Sequence, residues 1–388
     1  METIYLDHHA TTPMRPEVWD AMRPFACELF GNPASAHQVG RKARQALEDA
    51  RELVATCLGA SPDEVIFTSG ATEANNLAIL GLAGDSPGQI LGSRIEHPCV
   101  VEPLLQLANR GWRVEWMTPG LDGVIPLEMI LKRHLHADTR LIALMAVNHE
   151  TGAIQPVREL GRNLPRGTRW HCDAAQAAGK FPIHFRQWGC TSLTISAHKF
   201  AGPKGVGALL LRAGQPLKPL TLGGHQQQGR RPGTESVALA VGLATALQLA
   251  VHEMESNRIQ LCQLRRRLAD GLAELGAIVQ SPPMNSEPEL IAGLSSPAVL
   301  NVAFPEFPAD LLLMKLDLAG IACSTGSACA SGSLRPSAVL EAMQLPVKQL
   351  RSSLRFSLAP SLTPHLIDEA LFRIRKVIAS LRQADADL

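Results

Sequence analysis

Four short apolar runs in this chain each end on polar side chains suited to catalysis. His97 follows the run 90–95, Asn148 follows 141–147, Asp173 and Gln176 follow 168–172, and His198 and Lys199 follow 193–196. Taken singly, each has an ordinary reading: His97 before Pro98 ends a strand, and a lone lysine or aspartate is a surface or cap residue. Their shared position is what gathers them into one crevice. A fifth group joins them, because Thr72 opens an alanine- and leucine-rich segment behind Gly70. Free backbone N–H groups and a hydroxyl at a helix start bind phosphate, although such a residue is also an ordinary cap. A carboxylate such as Asp173 keeps a pyridine nitrogen protonated, a lysine forms a Schiff base, and an imidazole stacks on a ring and moves protons. Asp173 and Lys199 together meet the requirements of pyridoxal phosphate.

The elements that must position these groups alternate. Runs at 64–68, 90–95, 141–147, 168–172, 193–196 and 207–211 read as short buried strands, with helical or irregular segments between them. That order predicts an α/β fold with a largely parallel sheet, whose ligands bind beyond the carboxyl ends of the strands. Residues 41–58 place Ala43, Ala46, Leu47, Ala50, Val54 and Leu58 on one stripe, as a surface helix packed on a core does. Beyond Ala250 the composition changes. A charged amphipathic helix over 251–275, a Pro/Ser-rich irregular stretch over 281–296, a strand at 301–304 and helices at 311–318 and 367–381 suggest a smaller α+β unit. The expected division is 13–255 for a large domain, and 256–388 with 1–12 for a small one.

Composition narrows the function. The chain has 388 residues, with 37 Lys and Arg against 36 Asp and Glu, a formal charge of +1. No strong field draws nucleic acid or an anionic membrane, so a small substrate or a protein partner is expected. None of the 8 cysteines forms a C-x-x-C pair, so reduced thiols are expected, with neither disulfides nor a metal site. The first ten residues lack an apolar signal core, and no uninterrupted apolar run reaches spanning length. A cytoplasmic protein is expected.

The segments around the crevice residues are more specific. Tyr5-Leu6-Asp7-His8-His9-Ala10-Thr11-Thr12-Pro13, Gly31-Asn32-Pro33-Ala34-Ser35 and Phe67-Thr68-Ser69-Gly70-Ala71-Thr72-Glu73 resemble the cysteine desulfurases of the NifS/IscS-like type. So do Glu96-His97, Val147-Asn148-His149-Glu150-Thr151-Gly152, Asp173-Ala174-Ala175-Gln176 and Ser196-Ala197-His198-Lys199. These motifs stand in the family's order from residue 4 to about 360. The resemblance implies the class-V aminotransferase fold (pyridoxal-phosphate fold type I), with a mainly parallel seven-stranded sheet and a smaller C-terminal α+β domain. It implies Lys199 as the cofactor lysine, Asp173 at the pyridine nitrogen and His97 as the stacking, proton-handling imidazole. It further implies Gln176 and Asn148 at the ring oxygen, and Thr72, Ser196 and His198 on the phosphate. Thr234 resembles a phosphate ligand supplied by a neighbouring subunit, which implies a homodimer.

Two features point to desulfuration. The stretch Ser324-Thr325-Gly326-Ser327-Ala328-Cys329-Ala330-Ser331-Gly332-Ser333 is made of small residues that restrict the backbone little. Its likeness to the family implies Cys329 as the persulfide-forming nucleophile. Arg355 resembles the arginine on the substrate carboxylate, a task that suits a planar fork, and Asn32 and Asn148 are the other substrate-side residues implied. Cys323, behind Ile321-Ala322, reads instead as a buried strand-end thiol. The implied reaction converts L-cysteine to L-alanine and leaves sulfur on Cys329 for acceptors such as an iron–sulfur scaffold. A selenocysteine lyase on the same fold, a transaminase and a non-catalytic sulfur-acceptor protein are the rivals. The sequence departs from the family at His8, His9 and Arg335, and its tail is short.

Overall fold

Seven strands with almost no exposed residues form the centre of the molecule in the computed structural model, which describes residues 2–165, 167–326 and 336–386. A two-residue strand β1 (Ile4–Tyr5) comes first. The central sheet follows as β2 (Val65–Thr68), β3 (Gln89–Ser93), β4 (Arg113–Met117), β5 (Thr139–Ala143), β6 (Arg169–Asp173), β7 (Ser192–Ser196) and β8 (Gly207–Leu211), in the order β2-β8-β7-β6-β5-β3-β4. Neighbours from β7 to β4 are parallel, and β8 runs antiparallel to both β2 and β7. The sheet is therefore mainly parallel and seven-stranded, as expected. Every residue of β2, β3, β7 and β8 is buried, as in a sheet covered by helices on both faces.

The covering helices include α1 (Pro16–Cys27), α2 (Gln38–Leu58), α3 (Ala71–Ala83), α4 (Pro98–Ala108) and the helix Val237–His252. α2 shows how sequence sets such a helix. The His37 ring accepts from the Gly40 N–H and caps its start, while Ala43, Leu47, Ala50, Val54 and Leu58 recur on its buried face. Gly59 ends it in the left-handed region at φ 63°, returning its N–H to Ala55 and Thr56. Beneath lie the wholly buried Trp170, Phe181, Phe185 and Trp188. Large apolar side chains of this kind contribute about 1.5–3 kcal/mol each through burial.

A smaller antiparallel sheet is built from β9 (Ile278–Val279), β10 (Val299–Ala303) and β12 (Ser353–Ser357), and β1 pairs in parallel with β11 (Ile321–Ala322). The helices Met254–Glu274 and Pro364–Ala386 pack there around Leu6, Leu268, Val302, Leu354, Phe356 and Ile374. Leu290, Val339, Leu340 and Met343 instead join the core beside the central sheet. Among the described residues no single helix is long and apolar enough to cross a membrane.

Three local differences from the sequence reading have physical causes. β4 was not anticipated, because Arg113 and Glu115 interrupt its apolar pattern at the sheet's edge. β5 ends at Ala143 rather than at Val147; residues 144–147 leave the ladder, and Val147 bridges to Ile154. Asp173 is the last residue of β6 rather than the first beyond it.

Candidate active site

Strands β2, β3, β5, β6 and β7 share one direction, so their carboxyl ends open on one side of the sheet. Asp173 ends β6 there and is buried. Its Oδ1 accepts from the Ala175 N–H at 2.9 Å and its Oδ2 from Asn75 Nδ2 at 2.8 Å. Asn75 stands on α3, and its own Oδ1 meets His171 Nε2 at 2.8 Å, while His171 Nδ1 meets Ser192 Oγ at 2.8 Å. Burial lowers His171 to about 3, so the ring is uncharged and its single N–H lies on Nε2, facing the Asn75 carbonyl. A wholly buried chain from Ser192 to Asn75 thus aims one amide N–H at Asp173. Glu96, close by, accepts from the Met145 N–H at 2.7 Å through one oxygen, and its other oxygen is buried without a partner among the described residues. Burial, with the charge of Asp173, raises it to about 8, so Glu96 is mostly protonated at neutral pH.

Lys199 closes a single turn, Ala197–Lys199, directly after β7. Its Nζ donates to the carbonyls of His9 (2.5 Å) and Ala10 (3.1 Å). The segment carrying those carbonyls is stapled to the same turn, because Thr12 donates to the His198 carbonyl through both N–H (3.0 Å) and Oγ1 (2.8 Å). Gln176 Nε2 also donates to the His9 carbonyl, at 3.1 Å. His198 Nδ1 lies 3.2 Å from Thr11 Oγ1. Burial lowers His8 and His198 to about 4, and holds His9 well below its usual value.

His97 caps α4. Its Nδ1 accepts from the Cys99 N–H at 3.2 Å and lies 2.9 Å from Cys99 Sγ. A backbone N–H can only donate, so the neutral ring carries its hydrogen on Nε2. Burial lowers the pKa of His97, and the ring packs edge-on to His149, centroids 5.3 Å apart. The Asn148 amide is used within its own turn: Oδ1 accepts from the N–H groups of Glu150 and Thr151, and Nδ2 donates to the Ile95 carbonyl. Arg355 reaches this turn from β12. Nη1 donates to the His149 carbonyl at 3.1 Å, Nη2 pairs with Asp7 Oδ1 at 2.8 Å, and Nε is buried without a partner among the described residues.

The other sequence-predicted residues lie at the periphery. Gly70, at φ 153°, opens α3 without a side-chain cap, which leaves first-turn N–H groups available beside Thr72. Gly207 packs so closely there that a Cβ on it would meet Gly70 Cα at 2.8 Å. The buried Ser196 comes from β7. Thr72, Thr234 and Asn32 are exposed. Thr234 lines a groove with Glu73 and Arg231, whose ion pair measures 2.7 Å. Asn32 Oδ1 accepts from the Ala34 N–H at 2.9 Å. Cys329 and Arg335 lie outside the described residues. On either side of that stretch, Ser324 and Arg355 exchange backbone hydrogen bonds, and Ser337 Oγ donates to Glu150 Oε2 at 2.5 Å. Cys323 follows β11, and burial pushes its thiol up to about 12, which suits the reading of it as an inert thiol.

This arrangement fits pyridoxal phosphate. A buried carboxylate, a lysine and an imidazole converge at the strand ends, and the uncapped start of α3 adjoins them through Asn75. Asn75, Cys99, Lys180 and Asp7 belong to the site without having been singled out from sequence. Of these, only Lys180, four residues beyond Gln176, carried a spacing signal.

Comparison with known proteins agrees with the geometry. Residues 4–369 match the family Aminotransferase class-V. The cysteine desulfurase IscS of Dictyoglomus turgidum is 39% identical, with 98% of this chain and 95% of that protein covered. A solved NifS-like protein superposes with a TM-score of 0.90 at 35% identity, covering 97% of this chain and 99% of its own. A structure described as SspA in complex with cysteine gives a TM-score of 0.78 at 33% identity, over 93% of this chain and 100% of that one. The chain belongs to the cysteine desulfurases of the class-V aminotransferase family.

Proposed function

We propose that this chain converts L-cysteine to L-alanine, holding pyridoxal phosphate on Lys199 and passing the sulfur to Cys329. The observation that carries the reading is the meeting of two edges. Lys199, Asp173 and His97 stand at the carboxyl ends of the central sheet, and Arg355 reaches the same turns from the small sheet. Cysteine bound to a solved relative supports the choice of substrate.

When bound, the cofactor supplies an electron sink for the bond broken at the substrate α-carbon. Asp173 provides the buried negative charge that keeps a pyridine nitrogen protonated, and the amide of Asn75 fixes its orientation. Gln176, Ser196, His198 and Thr72 line the remaining edges, and the free N–H groups of α3 suit a phosphate. Asn148 holds the turn that carries His149 and Glu150. Arg355 takes the substrate carboxylate through Nε, the one guanidinium nitrogen without a partner among the described residues, with help from Nη2. Lys199, which would hold the cofactor, is also the amine placed to take the α-proton at Nζ. His97 offers a proton from Nε2. The Cys329 thiolate then attacks the substrate sulfur: an S–S bond forms, the C–S bond breaks, and its electron pair remains with carbon, which is protonated to give alanine.

Thr234 and Asn32, exposed in the single chain, suit contributions across a homodimer. We assign residues 13–255 to a cofactor-binding domain, and 1–12 with 256–388 to a second domain carrying Arg355 and the Cys329 segment. Sulfur acceptors such as an iron–sulfur scaffold, and a cytoplasmic location, complete the proposal. The test is to supply L-cysteine and dithiothreitol to the cofactor-loaded protein and measure alanine and sulfide together. Equal yields, lost in Cys329→Ala, are expected. Absence of alanine from the unaltered protein would overturn the assignment, and yields that persist in the variant would remove Cys329 from its role.

A further inference from the structure

Cys99 is a buried thiol that no step above uses, and it stands between two groups on which the site depends. Asn75 Nδ2 donates to Cys99 Sγ at 3.1 Å and to Asp173 Oδ2 at 2.8 Å, so the two hydrogens of one amide go to the sulfur and to the carboxylate. On its other side the sulfur lies 2.9 Å from His97 Nδ1. That nitrogen accepts from the Cys99 N–H at 3.2 Å and carries no hydrogen of its own. The hydrogen in the sulfur–nitrogen contact is therefore the thiol's, and Cys99 donates to His97. Burial, and then the charge of Asp173, push the thiol up to about 12, so it keeps that hydrogen at neutral pH.

Every bond in this series then has one direction. His171 donates to the Asn75 carbonyl, Asn75 donates to Asp173 and Cys99, and Cys99 donates to His97. Turning the Asn75 amide over would face its oxygen to the Asp173 carboxylate and its NH2 group to the His171 N–H. The series runs from β6 through α3 to the start of α4, the element that carries His97. Cys99 also shares a core cluster with Ala74, Ala78 and Val100, so filling space is the ordinary account of it. That role needs the volume of the side chain but not its hydrogen.

We infer that Cys99 is a positioning residue for His97: its thiol ties the Nδ1 edge of the ring to the same Asn75 amide that holds Asp173, and so leaves the Nε2 hydrogen as the one the ring can offer. This inference rests on His97 being the proton-handling imidazole of the proposed reaction.

The test reads the hydrogen bond directly, through the S–H stretching band in the infrared, in a window that no other protein group occupies. Subtracting the spectrum of Cys99→Ala from that of the unaltered protein isolates the Cys99 band. It should lie below the position of a free thiol and move up in His97→Ala. A band at the free-thiol position, or one that His97→Ala does not move, would overturn the inference. Should Cys99→Ala fail to fold, Cys99→Ser, which also lacks the S–H group, supplies the difference. Turnover of cysteine then separates a donor from a space-filler. Cys99→Val keeps apolar volume without a donor, and its kcat should fall about three- to tenfold with KM little changed, as loss of one neutral hydrogen bond allows. Cys99→Ser keeps a donor and should fall by less. The reverse ranking would make Cys99 a packing residue only. If His97→Ala turns over cysteine as fast as the unaltered protein, the reading of His97 itself fails, a result separate from the position of the thiol band.

Discussion

The two edges of the active site are built in opposite ways. On the central sheet, Asp173 ends a strand and Lys199 closes a single turn beyond one, so five aligned strand ends fix the groups we propose as catalytic. Asp173 is further held by Asn75 and the Ala175 N–H, within a wholly buried chain. On the small sheet, Arg355 stands within β12 itself, and its guanidinium is held by one carbonyl and by Asp7, with Nε unsatisfied among the described residues. The first edge is preorganised for a resident group. The second has one buried donor still to be matched, as a site for a passing carboxylate requires.

Changes at the two edges should therefore separate. The largest effect is expected from Lys199→Ala, which removes both the proposed cofactor attachment and the proposed α-proton acceptor. Alanine formation should fall by at least about 10²–10⁴-fold, the range of a lost general base, and the visible absorbance of the loaded protein should disappear. If Lys199→Ala keeps that absorbance and its turnover, the central-sheet edge has been misread. Next comes Arg355→Lys on the small sheet. It should leave cofactor uptake intact and raise KM for cysteine about ten- to a hundredfold, since a charged hydrogen bond contributes about 1.5–3 kcal/mol. A fall in kcat with unchanged KM would contradict its assignment to the carboxylate.

Packing offers a third comparison. Leu193→Ala, in β7 beneath the Lys199 turn, should lower stability by about 2–5 kcal/mol in denaturant unfolding. Leu354→Ala, in β12, should cost a similar amount while disturbing Arg355 rather than the cofactor. Reversal of these functional losses would break the distinction between the edges.

A last comparison concerns pH. His8 and His198 are lowered to about 4 and His171 to about 3, so the unfolded chain binds protons at these positions before the folded chain does. Their effect on stability is absent above about pH 6.5, the unfolded value. As pH falls below it, stability is lost by up to about 1.4 kcal/mol per pH unit for each group, down to its folded value. The opposite trend holds for the carboxyls of Glu96 and Glu150, raised to about 8 and about 7, which favour the folded state at lower pH. Melting of the cofactor-free protein should thus show a shallower acid slope than the imidazoles alone would give. Replacing Glu150 by Gln should steepen that slope between about pH 4.5 and 7, where its contribution opposes theirs.

Much of this arrangement was legible in the sequence, because strand ends are. Apolar runs of four to seven residues announce buried strands, and the polar residue that follows each one must lie at the sheet's edge. That logic places Asp173, Lys199 and His97 at the sheet's edge. Other features depend on contacts that leave no local mark. Asn75 sits inside a helix whose pattern explains its secondary structure but not that its amide faces Asp173 across the sheet. Asp7 meets Arg355 over a separation of 348 residues, a pairing set by β1 joining β11. β4 was missed because an edge strand need not be apolar on both faces. The resemblance to a family, rather than any periodicity, singled out Cys329 and Arg355.

The central claim is that sulfur leaves cysteine for Cys329, and a single turnover tests it most directly. The cofactor-loaded protein would be mixed with one equivalent of L-cysteine without reductant, then alkylated, digested and weighed by mass spectrometry. The account predicts one added sulfur on the peptide bearing Cys329, matched by one alanine and absent from Cys323 and Cys99. Alanine formed with the added sulfur on another cysteine, or with none on the protein, would contradict it.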